Sequence, residues 1–142
     1  MAPAHVLVPL DGSPLAADAL AFALETFECR TTVLNVVTPL DRPMSEGGVL
    51  DADERQEAAR KRADRLIEQA KGRAQEAGRA VETEIETGDP ANTILEFVEE
   101  YDVDHVVMGG HGGPESGLAR RLLGTVATRV VGETPVTVTV VR

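Results

Sequence analysis

Val106-Val107-Met108-Gly109-Gly110-His111-Gly112-Gly113-Pro114-Glu115-Ser116-Gly117, with Leu122-Leu123-Gly124-Thr125 close behind, decides the fold. Val106 to Met108 is continuously apolar, the pattern of a strand buried on both faces. It ends in five glycines between positions 109 and 117. A second small-residue step, Gly124-Thr125, then opens a helical pattern. Glycines let backbone N–H groups approach an anion without side-chain interference. A helix start adds uncapped N–H donors and the positive end of a dipole. Strand, glycines and helix start together predict a cradle for a phosphate or nucleotide.

Outward from this segment the chain alternates strands and helices. His5 to Pro9 reads as the first strand. Asp11-Gly12-Ser13-Pro14 then gives a turn with a capping serine and a proline suited to the first helical position. Leu15, Ala16, Ala19, Leu20, Ala23 and Phe27 recur at helical spacing. Thr31 to Val37 reads as the second strand, and Thr38 to Leu50 as a loop with two prolines and a Gly-Gly pair. Asp51 to Ala77 is a long charged helix with an apolar stripe at Ala59, Ala63, Leu66, Ile67, Ala70, Ala74 and Ala77, closed by Gly78. Its charges from Asp53 to Arg65 read as a solvated face with i,i+4 pairing.

Val81 to Glu86 places Glu at every second position, the mark of a strand with one wet face. Gly88-Asp89-Pro90 leads into a third helix carrying Ile94, Leu95, Val98 and Tyr101. His105 to Met108 is the fourth strand, Gly124 to Val131 a short last helix, and Pro135 to Val141 the fifth strand. This β-α alternation predicts one α/β domain over residues 1–142, an open parallel sheet with helices on both faces. Ligands of such sheets bind beyond the carboxyl ends of the strands. Asp11 and Gly109 both stand there, as neighbours if strands one and four adjoin.

Composition narrows the function. The net charge is −10, from 24 acidic residues against 14 basic ones, of which only Lys61 and Lys71 are lysine. Nucleic acid as the main partner is excluded, because a phosphate backbone demands a basic face. The acidic, arginine-over-lysine balance predicts a halophilic protein whose self-repulsion is screened by high cytosolic salt; an ordinary acidic protein from a GC-rich genome would share it. No membrane span is expected. The chain enters an apolar strand with no basic leader, which predicts a cytoplasmic location. Cys29 stands alone, and His5, His105 and His111 form no metal-binding spacing.

Taken in order, Val8-Pro9-Leu10-Asp11-Gly12-Ser13, Leu34-Asn35-Val36-Val37, Gly88-Asp89-Pro90, Val107-Met108-Gly109-Gly110-His111-Gly112, Leu122-Leu123-Gly124-Thr125-Val126 and Thr134-Pro135-Val136 resemble the universal stress protein family over essentially the whole chain. The resemblance implies a Rossmann-like sheet of order 3-2-1-4-5 and a stress-response module that binds ATP, with Mg²⁺ or Mn²⁺, at the ends of strands one and four. The ATP-binding residues it implies are Pro9, Leu10, Asp11, Val36, Met108, Gly109, Gly110, His111, Gly112, Gly113, Gly124, Thr125 and Val126. Asp11 would contact the sugar or the metal-bound phosphates, and Val36 the adenine through its backbone. Gly109, Gly112, Gly124 and Thr125 would fill the family signature G-x2-G-x9-G-[S/T]. Here eleven residues, Gly113 to Leu123, separate the second and third glycines. The surplus falls at Gly113-Pro114-Glu115-Ser116, and Glu115 would repel phosphates in the absence of a cation.

Other nucleotide folds fit less well. G-x4-G-K-[ST] is absent, and Glu115 stands where a dinucleotide fingerprint needs its third glycine. Asp11-Gly12-Ser13-Pro14 is too short for a flavin phosphate loop, and Phe22, Phe27, Phe97 and Tyr101 read as helix core or cap. A phospho-receiver domain would end strand five with a lysine, which this chain lacks. No nucleophile pairs with His111, so no catalytic residue is expected and any ATP hydrolysis would be slow. The alternative function is a nucleotide-free dimeric interaction protein of the same fold, its site abolished by the long loop. Strand 135–141, uncharged and β-branched, is the expected homodimer edge, whereas Glu82, Glu84 and Glu86 protect the opposite edge.

Overall fold

The structure, a computed structural model, describes residues 2–39, 52–112 and 122–142. Its elements run β1 (His5–Pro9), α1 (Pro14–Thr26), β2 (Arg30–Val37), α2 (Ala52–Glu76), β3 (Glu82–Thr87), α3 (Pro90–Glu100), β4 (His105–Gly109), α4 (Thr125–Glu133) and β5 (Thr137–Val141). The five strands are parallel, in the order β3-β2-β1-β4-β5. Gly113, the 113–117 segment and most of the 38–50 loop lie outside the described residues.

Strand pleating divides the core in two. Val6, Val8, Val33 and Val107 face α1 and α2, where they meet Leu20, Leu24, Ile67 and the alanines of both helices. Leu7, Leu34, Val106 and Met108 face the other way, onto Ile94, Phe97 and Val98 of α3 and Ala127 and Val130 of α4. No helix among the described residues is long and apolar enough to cross a membrane.

Local chemistry sets the helix ends. Ser13 caps α1, its hydroxyl accepting from Ala16 N–H at 3.3 Å, and Asp89 caps α3, accepting from Asn92 N–H at 3.0 Å. Proline follows each cap, where a missing N–H costs nothing. Gly78, at φ +70°, turns the chain out of α2. The next residue, Arg79, donates to the carbonyls of Leu24, Phe27 and Cys29. One guanidinium thus holds the end of α1 and its exit turn against the end of α2.

Several expected boundaries and burials shift. Gly124 is the cap of α4 and not its first residue, and the helix runs on to Glu133. Thr125, the first helical residue, therefore caps nothing. Strand five begins at Thr137 because Pro135 has no N–H for a ladder and Thr134 is still ending α4. Phe22 is over a third exposed and Ala77 is exposed, so neither is core; Tyr101, equally exposed, is the C-cap of α3, its N–H donating to Phe97 O. Phe97 and Phe27 pack as expected, the first inside one core and the second against the other.

At the end of the sheet away from the strand C-termini, two histidines take structural places. His5 is buried, its ring nitrogens paired with the Tyr101 carbonyl at 3.0 Å and Thr32 Oγ1 at 2.7 Å. His105 lies against the Phe27 ring, 4.8 Å between centroids, with Nε2 2.8 Å from Thr139 Oγ1. Burial holds the His105 pKa below its usual value, opposed in part by Asp104.

Candidate functional site

Strands β1 and β4 adjoin, and their connections leave to opposite faces of the sheet: β1 into α1, β4 towards α4. That divergence opens a crevice at the strand C-termini. A cleft of about 210 Å³ occupies it. Its floor is apolar, formed by Leu34, Ile94, Met108 and Ala127, with Val36 and Pro90 at one side. At the other side stand Gly109, His111, Gly112 and the Gly124-Thr125-Val126 start of α4.

Asp11 sits between the two ends. Its Oδ1 accepts from Ser13 N–H at 2.9 Å, a short turn that Gly12 permits at φ +87°. Its Oδ2 reaches the backbone of Gly112: a Cβ on that glycine would lie 2.6 Å from it. The next strand locks the base of this turn, since Leu10 N–H donates to Leu34 O at 2.8 Å and Asn35 Nδ2 to Leu10 O at 2.7 Å. The turn role and the cleft role of Asp11 thus coexist, one on each carboxylate oxygen.

The glycines divide into different jobs. At Gly109 a Cβ would come within 2.9 Å of the Leu15 backbone carbon and 3.0 Å of Ala16 N, so this glycine lets α1 pack on β4. Gly110 does not line the cleft. Its N–H donates to Val141 O at 2.8 Å and its carbonyl accepts from Gly124 N–H at 2.6 Å. The 2.6 Å bond joins the end of β4 to the start of α4. A Cβ on Gly124 would lie 3.1 Å from His111 Cα, so that glycine is required by the approach of two backbones.

Helix α4 begins without a side-chain cap at Gly124, leaving its first amides to the cleft side where Thr125 and Val126 line it. One turn further, Arg129 donates to Asp89 at 3.2 Å, to Asn92 Oδ1 at 2.7 Å and to Glu133 at 2.9 Å. These bonds tie α4 to the first turn of α3 and keep Pro90 facing the α4 start. The Glu133 bond raises the Arg129 pKa; desolvation opposes it, and the charges of Glu133 and Asp89 add to the rise.

The arrangement offers an apolar slot for a flat ring, one carboxylate for a hydroxyl or a cation, and an amide-rich end for an anion. Among the described residues no three His, Cys, Asp or Glu side chains converge on a metal position. A cation here would need the ligand's own oxygens beside Asp11.

The family model for the universal stress protein family matches residues 4–142. The chain belongs to that family. A curated universal stress protein of Methanocaldococcus jannaschii is 34% identical over 96% of this chain and 81% of its own. Among solved structures, the universal stress protein UspA from Lactobacillus plantarum superposes with TM-score 0.81 at 25% identity, over 100% of this chain and 99% of its own. Another universal stress protein, solved in complex with cAMP, gives 0.72 at 25% identity over 100% and 99%.

In this universal stress protein eleven of the thirteen residues singled out from sequence meet at one cleft: Pro9, Leu10, Asp11, Val36, Met108, Gly109, His111, Gly112, Gly124, Thr125 and Val126. Gly110 lies behind it and Gly113 is outside the described residues. Sequence reading missed Ser13, Ala16, Leu34, Pro90, Ile94 and Ala127, which also line it. Two of these carried a usable signal. Leu34 lies two residues before Val36 and so on the same strand face, and Ile94 is one helical turn beyond Pro90.

Proposed function

We propose that this universal stress protein binds ATP, with Mg²⁺ or Mn²⁺, in the cleft at the ends of β1 and β4. Occupancy then serves as a regulatory signal in the cell's response to stress. The observation that carries this reading is the polarity of the cleft: an apolar slot at Leu34, Val36 and Ile94, an amide-rich end at Gly112 and the α4 start, and Asp11 between them. Adenine matches the slot, phosphates match the amides, and the sugar or a phosphate-bound cation matches Asp11. The relative solved with cAMP supports an adenine nucleotide as the ligand class. Among the described residues, Asp11 and His111 are the titratable side chains on the cleft wall. In this reading binding is the function, with at most slow turnover.

The protein works as a homodimer joined through β5. This edge strand carries no charge before Arg142, while the opposite edge bears Glu82, Glu84 and Glu86.

Small molecules released from the purified protein by denaturation, identified by mass spectrometry, test the ligand. Calorimetry with ATP, with and without Mg²⁺, on the wild type and Asp11→Ala tests the site. Absence of released nucleotide together with no heat of binding overturns the reading and favours the nucleotide-free interaction protein.

A further inference from the structure

Helix α2 has three faces at 100° per residue. Ala59, Ala63, Ile67, Ala70 and Ala74 are buried in the core. The outward face pairs its charges: Arg60 with Asp64, Lys61 with Glu57, Lys71 with Glu68. The third face, within about 60° of Arg62, holds Arg62, Arg65, Leu66, Gln69 and Arg73 and no carboxylate over that stretch. None of these three arginines makes an ion pair among the described residues. In a chain of net charge −10, cations are grouped here and left unpaired.

This face lines a groove. Arg62, Arg65 and Gln69 border a cavity of about 520 Å³. Its far wall is the Asp11-Gly12 turn, the end of β2 from Asn35 to Val37, and Thr38 just beyond it. Gln69 and Arg73 border a smaller cavity against Gly12 and Ser13. The larger cavity shares Asp11, Val36 and Pro90 with the cleft. The cleft and the arginine-lined groove therefore adjoin at this shared wall.

The order of chemistries along this path is amides at Gly112 and the α4 start, a carboxylate at Asp11, then two guanidiniums and an amide. An anion is repelled at the shared wall by Asp11 and welcomed on both sides of it. A molecule that satisfies this order carries phosphate at each end of a neutral hydroxylated centre. Planar guanidinium forks suit a phosphate group. We propose that the α2-side groove is an anion subsite for the second phosphate of a nucleoside bisphosphate whose first phosphate lies at the α4 start. The proposal rests on the nucleotide reading of the cleft for its link between the two sites.

Calorimetry at one fixed KCl concentration tests it with four probes: AMP, adenosine 2′,5′-bisphosphate, adenosine 3′,5′-bisphosphate and inorganic pyrophosphate. At least one bisphosphate should bind ten-fold or more tightly than AMP. Arg62→Gln/Arg65→Gln should abolish that gain and leave AMP affinity unchanged, since glutamine preserves the helix. Arg60→Gln/Lys61→Gln removes the same charge from the outward face and should keep the gain. No bisphosphate advantage, or one that survives in Arg62→Gln/Arg65→Gln, overturns the subsite. Failure of AMP, both bisphosphates and ATP alike to bind overturns the nucleotide reading and the link. Pyrophosphate then decides the groove by itself: binding lost in Arg62→Gln/Arg65→Gln upholds an anion site, and no binding removes it.

Discussion

Gly109→Ala separates packing from ligand approach among the glycines of the β4 exit. The added Cβ would lie 2.9 Å from the Leu15 carbonyl carbon and Cβ, and 3.0 Å from Ala16 N. Carbon contacts relax at about 3.5–4.0 Å, so the start of α1 must retreat by roughly half an ångström or more. Leu15 and Ala16 are buried, so there is no open space to retreat into. Overpacking of this kind costs about 1–3 kcal/mol. For 142 residues at about 2.1 cal/mol/K per residue, the melting temperature falls by roughly 3–10 °C. Gly112→Ala is the contrast, because its Cβ meets only the movable carboxylate of Asp11. It should melt within about 2 °C of the wild type and lose nucleotide affinity as Asp11 is pushed aside. Differential scanning calorimetry with and without ATP reads both effects. An unchanged melting temperature in Gly109→Ala, or an equal fall in both variants, refutes the division of roles.

Three further outcomes are expected. Burial holds His105 below its usual pKa, so the unfolded chain takes up a proton before the folded one as pH falls. Stability should then decline from neutral pH towards pH ~5, and urea titrations of His105→Gln should show a shallower decline; Glu82, lowered chiefly by its bond to Arg30, acts only at more acidic pH. The −10 charge is screened within ~8 Å at physiological salt and ~30 Å at 0.01 M, so melting temperature should climb with KCl, and a flat response excludes salt adaptation. Val138 packs on the α3–α4 core and Thr139 on His105, so lysine at either would damage the fold. Thr137→Lys, at an exposed position on the β5 edge, should instead convert the dimer to monomer by light scattering at micromolar concentration, and a wild-type monomer rules out this interface.

The alternation of periods made the α/β architecture legible, because strands and helices each repeat their own apolar spacing. Strand order came from the family resemblance, since nothing in local spacing says that β1 lies between β2 and β4. The cleft was legible at its polar rim, where five glycines between 109 and 117 and a Gly-Thr helix start exceed what a simple turn needs. Its floor was not: Leu34, Ile94 and Ala127 have the same apolar character as neighbours buried elsewhere, and only the diverging connections leave them facing a crevice. Glycine identity alone also could not tell a packing contact at Gly109 from a backbone clamp at Gly110. The helical period groups Arg62, Arg65 and Arg73 on one face of α2, but only the packing shows that this face borders the Asp11-Gly12 turn and the end of β2.

The Gly124 N–H to Gly110 carbonyl bond fastens the chain on both sides of the long glycine-rich interval. The two ends of the interval are thereby held together at the sheet. Extending it from nine residues to eleven adds only about 0.2 kcal/mol of closure entropy, a cost too small for selection on stability to resist. A surplus of two residues between Gly112 and Gly124 is therefore compatible with an unchanged sheet, because the chain is closed on itself at Gly110 and Gly124 whatever length lies between.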